Sequence, residues 1–232
     1  MDQPRGASSV HEIDQLKQRL LLMGGLAEER VSLAMRALTD RDVAAIRQVI
    51  LGDEPLNQMH LEIDDRCFKL LSQRRSADVD LRTIVAAMKI NSDLERVGDL
   101  AVNIAEASER YVSHAPVKPL IDLPRMGVLA QRMLWEALDA FVSGNIVAAR
   151  EVLEQDDVLD QLKDQIFREL LTYMLGDPHT IEPAIDLILI ARHLERIGDH
   201  ATNIAEDIIF MVSARDVRHP GRDFGRKPES SE

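Results

Sequence analysis

The sequence predicts an all-α protein built as two tandem, pseudo-repeated three-helix bundles, six helices in all. Three observations lead there. Aromatic residues make up 3% of the 232 residues and glycines number 11, while Leu, Ala, Glu, Arg and Ile abound, a composition suited to helices. Apolar residues recur at steps of three and four, as in Ile90, Leu94, Val97, Ala101 and Ile104, which is the period of a helical seam. The stretch from Leu94 to Glu106, LERVGDLAVNIAE, returns one hundred residues later as LERIGDHATNIAE, Leu194 to Glu206, with ten of its thirteen positions identical. Repetition at a fixed offset marks a duplicated structural unit.

The elements follow in chain order. Residues 1–8, with Pro4 and Gly6, read as a loose arm. Ser9 with Glu12 fits a capping box, and the seam Leu16, Leu20, Met23, Ala27, Val31, Ala34 carries a first helix from Ser9 to Leu38. Thr39-Asp40-Arg41-Asp42 supplies the turn and the next cap. The second helix reaches Arg74, with a break at Gly52-Asp53-Glu54-Pro55, because proline inside a helix removes a hydrogen bond and clashes with the preceding turn. Ser76-Ala77-Asp78 turns the chain into a third helix ending near Tyr111. Pro116, Pro119 and Pro124 mark a linker between the halves. The fourth helix covers Arg125 to Val142, Ser143-Gly144-Asn145 turns, and the fifth runs to Leu175. Gly176-Asp177-Pro178 stops it, and the sixth runs from Thr180 to Arg215. The expected organisation is a first bundle over 1–113, a linker over 114–124, a second bundle over 125–215 and a fraying tail over 216–232.

The duplication reaches beyond the thirteen-residue stretch. Leu26 aligns with Leu129 and Ala34 with Ala137 at an offset of 103; Asp53 with Asp156 and Ile63 with Ile166 keep it. A second hairpin turn three residues shorter restores the offset to 100. Short connections make neighbouring helices antiparallel.

Composition bounds function. A formal net charge of −12 argues against nucleic-acid binding. Cys67 is the only cysteine, so no intrachain disulfide can form and a reducing compartment is natural; beside Phe68 in a seam, it reads as core. No signal peptide begins the chain and no run of about 20 apolar residues could span a bilayer, so a cytoplasmic protein is expected. There is no P-loop, dinucleotide fingerprint or nucleophile elbow, and no Glu-x-x-His set for a ferritin-like di-iron core. His193 and His200 have no counterparts in the first half, where Asp93 and Leu100 stand; they read as surface or contact residues.

The repeated stretch carries a polar stripe of its own. Glu95, Asp99, Asn103 and Glu106 share one side of the third helix, and Glu195, Asp199, Asn203 and Glu206 share one side of the sixth. Like charges at i and i+4 repel by a few tenths of a kcal/mol, yet both halves keep them. Counting outward from the hairpin turns puts Asp156 level with Asp199 and Asp160 level with Glu195; in the first half, Asp53 is level with Asp99 and Asn57 with Glu95. Equal height leaves open whether the faces meet. Oxygen donors without Cys or His favour a hard cation such as Mg²⁺, Ca²⁺, Mn²⁺ or oxidised iron; a solvated acidic face is the other reading.

The doubled Glu-Arg-(Val/Ile)-Gly-Asp, the Met23-Gly24-Gly25-Leu26 of the first helix and Val217-Arg218-His219 near the end together resemble the PhoU family of phosphate-specific transport accessory proteins, over nearly the whole chain. The resemblance implies a six-helix, two-bundle fold, usually dimeric, with metal clusters held by paired (Glu/Asp)-x-x-x-Asp motifs. Carried over, these fall on Glu95/Asp99, Asp156/Asp160 and Glu195/Asp199. The fourth, Asp53 to Asn57, departs from the pattern, since Asn replaces the last acid. Glu54, Asn103, Asp157 and Asn203 complete the candidate ligands. The resemblance also implies a non-enzymatic negative regulator, linking the ATPase subunit of a phosphate ABC transporter to a phosphate sensor histidine kinase at the inner face of the membrane. A metal-dependent hydrolase using the same carboxylates and a purely structural helical adaptor are the alternatives.

Overall fold

A computed structural model of the chain describes the backbone of residues 5–72 and 78–215 and the side chains of residues 11–72 and 81–215. Every regular element among them is helical: α1 (Arg5–Asp40), α2 (Val43–Leu51), α3 (Glu54–Ser72), α4 (Asp78–Val112), α5 (Asp122–Ser143), α6 (Ile146–Gly176) and α7 (Ile181–Ser213), with a 3₁₀ turn at Pro178–Thr180. These are the six expected helices, the second divided into α2 and α3. The turn over Ser76-Ala77 and the tail from Asp216 onward lie outside the described residues.

Local chemistry sets the boundaries. Asp42 caps α2 by accepting from Ala44 N at 2.9 Å and Ala45 N at 3.1 Å, and Asn145 caps α6 by accepting from Val147 N at 3.0 Å and Ala148 N at 3.2 Å. Gly144 ends α5 with φ +66°, a left-handed conformation that glycine adopts without strain. Two ends differ from expectation. The first helix begins at Arg5, so Ser9 lies inside it; only Gly6 opposes helix there, at about 1 kcal/mol. The fourth helix begins at Asp122, which puts Pro124 in its first turn, where proline's missing N–H costs nothing.

The divided second helix is the main departure from the internal repeat. Gly52 and Pro55 align with Gln155 and Val158, and α6 is continuous across them. Arg30 of α1 closes the break by donating to Val49 O at 2.9 Å and to Gly52 O, carbonyls that a continuous helix would have satisfied.

Each half is a bundle, α1 with α2, α3 and α4, and α5 with α6 and α7. The halves pack chiefly through α4 against α7 and also through α1 against α5, and their buried side chains form one core. The α4·α7 junction is antiparallel and is crossed by ion pairs: Lys89 Nζ to Asp207 Oδ1 at 3.0 Å, His200 Nδ1 to Asp93 Oδ1 at 2.8 Å and Arg110 Nε to Asp186 Oδ1 at 2.8 Å. His200 is therefore a contact residue, buried at the junction. His193 Nδ1 is buried too, and burial, then Arg196, Arg192 and Arg110, hold its imidazole below the usual pKa. Cys67 is buried as expected and burial pushes its thiol up to about 12. Phe68 is not in the seam; it is 60% exposed.

Candidate metal centre on the paired acidic stripes

The glycine of each Glu-Arg-(Val/Ile)-Gly-Asp decides which faces meet. A methyl group on Gly98 would lie inside the van der Waals envelope of Leu56 Cδ2, and one on Gly198 inside that of Leu159 Cδ2. The absence of a side chain lets α3 close on α4, and α6 on α7. At the same two positions the nearest carboxylate oxygens are Asp53 Oδ1 and Asp156 Oδ1, each 3.7 Å from where the glycine Cβ would stand. Asp53 thus stands beside Asp99, and Asp156 beside Asp199. For Asp53 with Asp99 and for Asp156 with Asp199, height and face agree.

The electrostatics report the same proximity. Burial first and then the Asp53 carboxylate raise Asp99 above its ordinary pKa; burial, then Asp99, raise Glu95. Burial and then Asp199, Asp160, Asp157 and Glu195 raise Asp156, and burial with Glu195 and Asp160 raises Asp199. Each of these acids would rather be neutral in the folded chain than it would be in water. Asp99, Asp160, Asp199, Glu54 and Asp157 are exposed, while Asp53, Asn57, Glu95, Asp156, Glu195, Asn103 and Asn203 are half-buried.

Each half also carries an internal cation that sequence reasoning missed. In the second half Lys163 Nζ donates to Asp160 Oδ1 at 2.8 Å and to Glu195 Oε1 at 3.0 Å, and the bond to Asp160, with that to Glu195, raises the ammonium pKa against the pull of burial. In the first half Arg30 Nη2 lies 3.2 Å from Asp53 Oδ1, an oxygen that accepts no hydrogen bond, and Asn57 Nδ2 donates to Asp53 Oδ2 at 2.8 Å. The signal was present in the repeat alignment: Arg30 stands where the second half has Met133, and Lys163 where the first has His60.

The donor chemistry, carboxylates and amides alone, fits a hard cation, and the raised pKa values describe charge that a cation would offset. Among the described residues no three acidic, histidine or cysteine side chains are gathered closely enough to enclose one.

A family profile described as the PhoU domain matches residues 20–108 and again 123–208. The chain belongs to the PhoU family. It is 41% identical over 207 residues to the phosphate-specific transport system accessory protein PhoU homolog of Caulobacter vibrioides (strain NA1000 / CB15N), covering 89% of this chain and 90% of that one. It is 34% identical over 212 residues to the phosphate-specific transport system accessory protein PhoU of Escherichia coli (strain K12), covering 91% and 88%. The crystal structure of PhoU from Pseudomonas aeruginosa superposes with a TM-score of 0.84 at 37% identity, covering 88% of this chain and 99% of that one. The phosphate transport system regulatory protein PhoU from Streptococcus pneumoniae gives 0.82 at 28%, covering 90% and 99%.

The raised carboxylates predict a pH dependence in this PhoU-family chain. A carboxylate whose folded pKa lies above its unfolded value withdraws stability at high pH and returns it as pH falls through the folded pKa. Asp199→Asn is therefore expected to raise the melting temperature of metal-free protein at pH 7 and to leave it unchanged near pH 3.5, below the ordinary Asp range of about 3.9. Calorimetric melts of both proteins at the two pH values check this; an equal difference at both would show that Asp199 carries no charge penalty.

Proposed function

We propose that this chain is an accessory protein of phosphate-specific transport, acting in the cytoplasm as a negative regulator of phosphate uptake and of phosphate-starvation genes. In this reading it links the ATPase subunit of the phosphate transporter to a sensor histidine kinase, works as a homodimer and catalyses nothing. Family membership over both halves is the observation that carries the regulatory role, and the names of the relatives, accessory proteins rather than enzymes, support it. Among the described residues no helix is long and apolar enough to cross a membrane, so contact with a transporter would run through a protein partner.

The paired stripes would hold hard cations, Mg²⁺, Mn²⁺ or iron, through Asp156, Asp160, Glu195 and Asp199 in the second half and through Asp53, Asn57, Glu95 and Asp99 in the first. Glu54, Asp157, Asn103 and Asn203 would be further ligands. A bound cation would neutralise the repulsion across each hairpin and compete with Arg30 and Lys163 for the same carboxylates. Deleting the gene is expected to raise phosphate-starvation gene expression in high phosphate, read as transcript level; unchanged transcripts would count against the regulatory reading.

A further inference from the structure

We infer that the groove between α1 and α5 is where a second copy of this chain docks, with Trp135 of each copy seated over Gly25 of the other; the inference rests on the homodimer proposed above and assigns its face. Gly24 and Gly25 sit side by side inside α1. Gly24 has a reason within the chain, because a methyl there would strike Leu138 of α5. Gly25 has none: it is exposed, and a Cβ on it would meet nothing within 4 Å. Glycine inside a helix costs about 1 kcal/mol relative to alanine, so Gly25 weakens α1 without any packing return inside the chain. What it leaves is a patch of bare backbone, a shallow hole, with Leu21 one turn away and 39% exposed.

The opposite wall of the groove supplies a knob. Ile121, at the N-cap of α5, and Val128, Trp135 and Val142 within it fall at every seventh residue and are 71%, 67%, 57% and 37% exposed, an apolar ridge about 32 Å long at 1.5 Å per residue. The two helices are antiparallel, since Gly24 meets Leu138 and Gly127 meets Met35. By that register Gly25 is level with Ala137, and Trp135 lies two residues further along. Near one end the groove deepens into a cavity of about 250 Å³ that Ser32 and Met35 share with Pro124, Val128 and Gln131. A knob and a hole on facing walls at one level are self-complementary: a two-fold axis between them places each knob on the other copy's hole, the condition for an isologous dimer.

Charge is compatible with this face. Two copies at −12 each repel unless they meet where charge balances. On α1 and α5 the exposed Arg36, Arg125 and Arg132 stand against Asp14, Glu29, Asp40 and Asp139, within one charge of balance. On α6, by contrast, Glu151, Glu154, Asp157, Asp160 and Asp164 outnumber Arg150 and Arg168.

Trp135 is the chain's only tryptophan, so its fluorescence reports this face alone. Sedimentation equilibrium of the full chain is expected to show a dimer, and Trp135 emission is expected to move to shorter wavelength over the same concentration range. Gly25→Leu fills the hole with a better helix former and is expected to weaken dimerisation at least tenfold without lowering monomer stability. Gly25→Ala is expected to stabilise the monomer and weaken the dimer, opposite signs that an ordinary packing role would not produce. A dimer whose Trp135 emission ignores concentration, or that Gly25→Leu leaves intact, would overturn this face while keeping the homodimer. Monomer alone at every concentration would overturn both.

Discussion

Gly198→Ala is expected to destabilise the protein by about 1–3 kcal/mol, the usual cost of forcing an extra methyl into a filled interface. Helix propensity alone gives the opposite sign, since alanine is favoured over glycine by about 1 kcal/mol inside a helix. The clash decides, because the new methyl would overlap Leu159 Cδ2 and the fully buried Leu159 side chain would have to shift within a filled core. For a chain of this length that corresponds to a fall of roughly 2–4 °C in melting temperature per kcal/mol. Shortening the opposing residue should restore the fit, so Leu159→Ala in the Gly198→Ala background should cost less than the two single changes added together. Gly98→Ala against Leu56 should behave alike. Denaturant unfolding of the two singles and the double checks this; a Gly198→Ala protein as stable as its parent would mean that α6 and α7 are not held together at that glycine, and the convergence of Asp156 on Asp199 would lose its cause.

The second large effect concerns the inequality of the two acidic sites. In the first half three carboxylates, Asp53, Glu95 and Asp99, face one guanidinium, Arg30. In the second half four, Asp156, Asp160, Glu195 and Asp199, face one ammonium, Lys163. With all groups charged the second site is more negative by one. Charge count tunes cation affinity in oxygen-ligand sites, and one charge at these partly exposed positions is worth about 1 kcal/mol, roughly five- to tenfold in affinity. Asn57→Asp should therefore strengthen the first site by about that factor, and Asp160→Asn should weaken the second towards it. Asn57→Asp also removes the hydrogen bond from Asn57 to Asp53, which frees an Asp53 oxygen for the cation and works in the same direction. Titration calorimetry of each variant with Mn²⁺ or Mg²⁺ measures the change; affinities unmoved by both substitutions would mean these residues are not the ligands.

Much of the scaffold was legible because local chemistry writes it. Asp42, Asn145 and Gly144 cap or end helices through contacts two to four residues away, and Gly52 with Pro55 broke the second helix where the sequence placed the break. The acidic sites were half legible. Counting from the turns gave the height at which Asp156 and Asp199 meet, but the facing depended on Gly198 admitting Leu159, a contact between separate helices. The same limit hid Arg30 and Lys163, whose carboxylate partners include Asp53, just before α3, and Glu195 of α7. It also hid the junction of the halves, where Asp186 and Asp207 are buried and answered by Arg110 and Lys89 from α4. Phe68 escaped for a related reason: hydrophobicity alone does not say which side of a helix finds a partner.

Unequal cation binding by the two acidic stripes, as proposed above, is tested most directly by a calorimetric titration of the metal-free parent protein with Mn²⁺, repeated with Mg²⁺. Two binding steps are expected, the tighter one lost in Asp156→Asn/Asp199→Asn and the weaker one lost in Asp53→Asn/Asp99→Asn. A parent protein that takes up neither cation, or that binds both equivalents with one affinity through residues outside these eight, would contradict it.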